Sequence, residues 1–172
     1  AEAPRTELSG FEPNVEAIAG ENPDLVVLTD DIQDVVAGLD ALKADPHVDP
    51  TRVGAAGYCF GGAVALAMAR KGEDLKAVAA FHAAIPPPAP VKKGTVKAHL
   101  LLLEGDADPM VPKSEVEVFE KTMKDAGADI QVVFFPGVKH GFTNPNAAAF
   151  GIEGIAYDAN ADKQSWAKAG EL

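Results

Sequence analysis

Apolar positions organise this chain from Thr29 onward. Ile32, Val35, Val36, Leu39 and Leu42 recur at helical spacing, Asp30 stands in capping position with Gln33 three residues on, and Asp45-Pro46 stops the run. The spacing predicts an amphipathic helix. Ahead of it, residues 1–28 carry Pro4, Pro13, Pro23 and several acids without a sustained period, and read as an irregular segment with one short strand candidate, Leu25 to Leu28. Behind it, the loop Asp45 to Pro50 leads into Arg52-Val53-Gly54-Ala55-Ala56, a short apolar run ending in Gly57-Tyr58-Cys59-Phe60-Gly61-Gly62. That pattern predicts a strand, a sharp turn and a helix over Ala63 to Lys71, with Gly72 as its left-handed cap.

Three more strands and two helices emerge by the same reasoning. Ala77 to Phe81 is a buried strand candidate ended by Ile85-Pro86-Pro87-Pro88, and Ala98 to Leu103 is a second, its four leucines closed by Glu104-Gly105. Lys113 to Ala126 is helical, with Val116, Phe119, Met123 and Ala126 on one side and the pairs Glu117/Lys121 and Glu120/Lys124 on the other. Ile130 to Phe135 is a strand, and Asp158 to Lys168, carrying Trp166, is the last helix. Strands alternating with helices imply right-handed crossovers and a parallel sheet. The expected fold class is α/β, a parallel sheet flanked by helices, in a single domain over residues 1–172.

Composition narrows the partners. A chain of 172 residues that is 47% hydrophobic and 24% charged is an ordinary globular mixture. Val53 to Ala69, its longest apolar stretch, is interrupted by Gly57, Gly61 and Gly62 and too short to cross a bilayer. A formal charge of −11 and a pI near 4.7 would repel phosphate backbones. Nucleic acid and membrane are therefore not expected as partners, and a small molecule is. Cys59 is the one cysteine, and four histidines without paired cysteines make no zinc framework, so neither a disulfide nor a metal is expected. A reducing, cytoplasmic setting is the default, since residues 1–20 hold no basic segment followed by an apolar core; a removed leader would leave no trace.

The chemistry gathers around Cys59. Gly57-Tyr58-Cys59-Phe60-Gly61 is a cysteine version of the G-x-S-x-G nucleophile elbow, in which a strand turns abruptly into a helix. Side chains at Gly57 or Gly61 would collide with backbone, and the sulfur would stand at a helix N-terminus that favours thiolate. The motif alone is equally compatible with an inert cysteine in a glycine-rich turn. The order nucleophile, acid, base requires an acid after a late strand and a histidine after the next. Asp108, in Gly105-Asp106-Ala107-Asp108-Pro109-Met110-Val111-Pro112, and His140, in Lys139-His140-Gly141-Phe142, fill those places, while Asp106 reads as turn chemistry. His47 and His99 read as solvated or structural. His82, at the end of a strand, points to the sheet edge that carries Cys59, and with Tyr58 and Phe142 it is a pocket candidate, with core packing as the plainer alternative for the two aromatics.

These residues resemble the dienelactone hydrolase family of α/β hydrolases. The resemblance rests on Gly57-Tyr58-Cys59-Phe60-Gly61-Gly62, on Gly105-x-x-Asp108-x-x-Val111-Pro112 and on His140-Gly141-Phe142, with spacing in agreement from about Asn22 to Trp166. It implies Cys59 as nucleophile, His140 as general base, Asp108 as its orienting partner, the Phe60 backbone N–H as an oxyanion donor, ester or lactone substrates, a thioester intermediate, and no cofactor. Two departures stand out. The family's early strands, with the loop that supplies a second oxyanion N–H, find almost no room ahead of Thr29, which suggests either a longer native protein or a form that assembles as a homo-oligomer and hydrolyses esters poorly. Dienelactone-specific members place an arginine four residues beyond the histidine, where this chain has Asn144. Two other readings are weighed. A glutamine amidotransferase would need a His-x-Glu pair, which Gly141-Phe142 does not provide. A binding protein that kept the fold and lost the chemistry is the other.

Overall fold

A computed structural model gives the architecture, and it describes residues 32–172. The Asp30 cap, the Leu25 to Leu28 strand and the expectation of missing early strands lie outside the described residues. Helix α1 spans Ile32–Ala44, strand β1 Ala55–Tyr58, helix α2 Phe60–Lys71, β2 Ala77–Phe81, β3 His99–Gly105, α3 Lys113–Asp125, β4 Ile130–Phe135 and α4 Ala159–Ala169. The four strands form one parallel sheet in the order β1-β2-β3-β4. The α/β expectation holds, with strand β1 starting two residues later than the apolar run suggests and α2 beginning at Phe60 instead of Ala63.

Period-two alternation in β3 explains the layers. Leu100 and Leu102 enter one core with Leu39 of α1, Leu66 and Met68 of α2, and Val116, Phe119 and Met123 of α3. Leu101 and Leu103 enter a second core on the opposite face with Phe81, Phe135, Phe142 and Ala161 of α4. A strand buried on both faces needs an unbroken apolar run, which is what His99-Leu100-Leu101-Leu102-Leu103 supplies after its first residue. The strand does not close at Leu103: Glu104 and Gly105 continue it, and Glu104 is fully buried. On α3 the ion pairs sit one turn from where spacing put them, because Lys113 takes Glu117 and Lys121 takes Asp125, leaving only Glu120/Lys124 as expected. Gly72 caps α2 at φ 91°, as its position implies.

Register sets the site. Tyr58 pairs with Phe81 and Phe81 with Leu103, so the carboxyl ends of β1 and β2 are level and the loops after all four strands leave from one edge of the sheet. Open parallel sheets bind ligands along that edge.

Candidate active site

Cys59 forms the corner between β1 and α2 with φ 51° and ψ −118°, a conformation that non-glycine residues adopt only when the surroundings enforce it. Three backbone bonds do so: its N–H donates to Phe81 at 3.0 Å, and its carbonyl accepts from Ala63 at 3.2 Å and from Ala84 at 3.3 Å. Gly57 makes the corner sterically feasible, since a Cβ there would run into the Gly61 carbonyl. The thiol is exposed at the start of α2, whose first amide groups lack intrahelical partners.

Asp108 and His140 meet from two different loops. His140 Nδ1 lies 2.7 Å from Asp108 Oδ2, with both side chains buried. Asp108 Oδ1 accepts from the N–H groups of Met110 and Val111 at 2.7 and 3.2 Å, so the carboxylate serves the turn and the imidazole together. A short bridge fixes the histidine: its N–H donates to Gly154 and its carbonyl accepts from Ala156. The two loops pack tightly because Gly105 has no side chain, and a Cβ there would strike the Val138 carbonyl. Asp106 accepts from Gly137 N–H at 2.6 Å, the turn role its sequence context suggests. His47 is solvent-exposed beside Asp45, and His99 sits at the surface beside Asp129.

The neighbouring groups shift one another's titration. The His140 imidazole beside it is the main reason the Cys59 thiol titrates below its ordinary value, against an opposing effect of burial; the Phe60 N–H adds to the lowering. Burial works against a charged His140, yet hydrogen bonding to Asp108 and Cys59 outweighs it and pushes the imidazole up to about 10. Both directions favour a thiolate–imidazolium pair.

Cys59, His140, Tyr58 and His82 line one open cavity of about 600 Å³, together with Trp166 and Asp162 of α4 and with Ile152 and Ile155. His82 is buried with φ 37°, its ring 4.9 Å from that of His140, and its Nε2 lies 2.9 Å from Thr143 Oγ1. Burial first, and then the charge on His140, push it down to about 4, so it is neutral near pH 7. Phe142 does not reach the cavity wall as expected. Its ring is fully buried between Phe135 and His82, because the chain after His140 turns inward to seal the second core. Sequence reasoning passed over Trp166 and Asp162 as cavity residues, although a tryptophan one turn from an acid on a short polar helix was a visible signal. It also passed over Glu104, a carboxyl directly after a run of four leucines.

The dienelactone hydrolase family model matches residues 16–172. The chain belongs to the dienelactone hydrolase family. An uncharacterised protein of Caenorhabditis elegans is 35% identical over 132 residues, covering 76% of this chain and 84% of its own. A protein of Aquifex aeolicus provisionally named carboxymethylenebutenolidase is 28% identical over 108 residues, covering 63% of this chain and 47% of its own. Among solved structures, a dienelactone hydrolase-like promiscuous phosphotriesterase from metagenomic libraries superposes with a TM-score of 0.78 at 33% identity, covering 92% of this chain and 64% of that one. This chain therefore spans about half of the Aquifex protein and under two thirds of the metagenomic one. No helix among the described residues is long and apolar enough to cross a membrane.

Proposed function

We propose that this member of the family hydrolyses carboxylic esters or lactones, with Cys59 as nucleophile, His140 as general base and acid, and Asp108 as the group that orients the imidazole. The observation that carries this reading is the buried 2.7 Å contact between His140 Nδ1 and Asp108 Oδ2 beside a thiol held on a strained corner. An ionised Asp108 favours the proton on Nδ1, which leaves Nε2 for the sulfur. Family membership and the names of relatives support the reaction class.

The steps rest on the groups present. Cys59 Sγ attacks the carbonyl carbon, and the carbonyl electron pair moves to oxygen, where the Phe60 N–H at the start of α2 is the proposed donor. As the intermediate collapses, the C–O bond to the leaving group breaks and the His140 imidazolium protonates the departing oxygen, leaving a thioester. Water then gives a proton to His140 and adds to the thioester carbon. Collapse expels the sulfur and releases the acid. His82 and Tyr58 form the wall of the acyl or alcohol pocket in this scheme. Dienelactone itself is a poor candidate, because Asn144 stands where an arginine would hold its carboxylate, and the Asn144 Oδ1 is engaged by the Asn146 N–H at 2.9 Å.

A screen of 4-nitrophenyl acetate, 4-nitrophenyl butyrate and simple lactones, run beside iodoacetamide alkylation of Cys59, tests the reading. Turnover that disappears in Cys59→Ala and His140→Ala, with a thiol that alkylates fast near pH 7, is the expected result. A Cys59 no more reactive than free cysteine, together with no turnover, overturns it in favour of a binding protein on the same fold.

A further inference from the structure

Part of the wall of the cavity is aromatic and negatively charged, formed by Tyr58, Trp166 and Asp162. Asp162 and Trp166 lie one turn apart on α4 and so share a face of that helix. The helix start is fixed by Asp158, whose Oδ1 accepts from Asn160 and Ala161. Trp166 meets the rings of Tyr58 and Phe81 edge-on, with centroids 6.5 and 5.4 Å apart, and Tyr58 stacks on Phe81 at 4.7 Å. Tyr157 Oη donates to Asp162 Oδ2 at 3.1 Å and orients the carboxylate. The negative charge is felt at the aromatic wall: after burial, Asp162 is what raises the Tyr58 phenol above its ordinary value.

Among the described residues no cation pairs with that carboxylate, and the His140 imidazole in the same cavity is held by Asp108. No lysine or arginine of theirs lines the cavity, and its two histidines are committed to Asp108 and to Thr143. Aromatic faces attract cations through their quadrupole, and the attraction grows where water is excluded. A carboxylate in the same cavity as two aromatic rings suits an ammonium group and repels a second carboxylate.

We propose that the pocket selects esters bearing a positively charged group, an amine or a quaternary ammonium, seated against Tyr58 and Trp166 with Asp162 as its counter-charge. This rests on the hydrolase reading above and adds the substrate class to it. Anionic esters are the class it rejects.

Three 4-nitrophenyl esters with one leaving group test it: butyrate, 4-(trimethylammonio)butyrate and succinate, which differ in the charge of the acyl end. The expected order of kcat/KM is cation, neutral, anion. Asp162→Asn and Trp166→Leu should each lower the cation-to-neutral ratio by about 2- to 5-fold, the size expected of one cation–aromatic or charge contact at a site where Trp166 is 56% exposed. Asp162→Asn changes the net charge by one unit among 26 acids, so an effect of that size reads the local carboxylate and not the whole field. The neutral ester in each ratio reports general damage, and Trp166→Leu serves if the Asp162 variant folds poorly. A cation-to-neutral ratio of one or less, or a ratio that neither variant moves, overturns the proposal. If none of the three esters is turned over, the hydrolase reading fails while this one is still read by binding. Tetramethylammonium should protect Cys59 from neutral iodoacetamide at least 5-fold better than tert-butanol does, and equal or absent protection overturns it.

Discussion

Strands β1 and β2 end side by side, each followed by a residue with positive φ, with opposite results. Tyr58 and Phe81 are register partners, so Cys59 and His82 stand one step beyond the sheet at matching positions. Both take a positive φ, 51° and 37°, and they are the two non-glycine residues that do so among those described. Each N–H donates to the neighbouring strand, Cys59 to Phe81 and His82 to Leu103. Such a conformation costs on the order of 1–3 kcal/mol at each residue. The two corners differ in the segment that each one opens. After Cys59 the chain enters a helix at once, which leaves the sulfur exposed over free amide groups; after His82 it enters an irregular segment, and the ring is buried against His140 and Phe142. One backbone feature therefore leaves an exposed thiol at one strand end and a buried imidazole at the next.

The largest effect that can break this comparison is kinetic. Cys59→Ala should abolish ester turnover, and His140→Ala should lower kcat by about 10³-fold or more, because the base acts in both half-reactions. Asp108→Ala should cost far more than Asp106→Ala, since only Asp108 touches the imidazole. His82→Asn, which keeps a side chain tolerant of positive φ, should stay within about 10-fold of the parent. A His82 variant as inactive as the His140 variant would make both strand ends part of the chemistry.

The next effect is steric. Gly57 and Ala80 are register partners, yet only Ala80 carries a Cβ. At Gly57 a methyl group would meet the Gly61 backbone, which cannot move without dismantling the start of α2. Gly57→Ala should destabilise the fold by about 3 kcal/mol or more, read from the urea midpoint, with loss of the fast-alkylating thiol. A stable Gly57→Ala protein with a reactive thiol would show that the elbow has room this geometry denies it.

Much of this was legible in the sequence, and the limits have physical causes. Apolar runs bounded by glycine and proline place β2, β4 and α3 within a residue or so, because burial on two faces or one stripe leaves a direct trace in residue type. The Cys59 elbow is legible because close backbone approach demands glycine at fixed offsets. Asp108 and His140 are found from chain order alone. His82 carries no such trace, since its strained corner is imposed by the Leu103 carbonyl and the Glu104 carboxylic group, both distant in sequence. Asp162 and Trp166 reach the cavity by the docking of α4 on the second core, a tertiary event that periodicity on a mostly polar helix does not reveal.

Acid titration separates the two strand ends by a smaller amount. His82 is depressed from 6.5 to about 4, so its contribution to stability is present above pH 6.5 and lost as pH falls through about 4. His140 is raised to about 10; its contribution is full below 6.5 and is lost only as pH rises, so it adds no slope on the acid side. Between pH 6.5 and 4 the parent should therefore lose on the order of 3 kcal/mol more than His82→Asn. Thermal unfolding of both proteins across that range checks it, and parallel curves would show that His82 protonates freely in the folded state. On the basic side, the Cys59 alkylation midpoint should lie below 9.0 in the parent and return toward 9.0 in His140→Ala.

The smallest effect concerns the carboxyl that holds the His82 corner. Glu104 and Asp108 sit at and just beyond the end of β3, and both are buried, but their partners differ. Asp108 receives two backbone N–H groups and an imidazole, while Glu104 Oε1 receives only the Ala83 N–H at 3.0 Å and Oε2 receives nothing. Burial accordingly pushes Glu104 well above the usual carboxylate range. A neutral acid in that place has its O–H on Oε2 and its acceptor toward Ala83, which is the arrangement a glutamine amide reproduces. Glu104→Gln should change stability at pH 5 by less than about 1 kcal/mol, whereas Glu104→Ala leaves the Ala83 N–H without an acceptor and costs more. The pH trend has a fixed sign. The folded protein keeps a proton on Glu104 that the unfolded chain releases above 4.5, so the parent loses stability relative to Glu104→Gln as pH rises from 5 to 8. Urea midpoints at those two pH values decide it, and a variant that instead falls behind the parent at pH 8 would show Glu104 to be ionised in the folded protein.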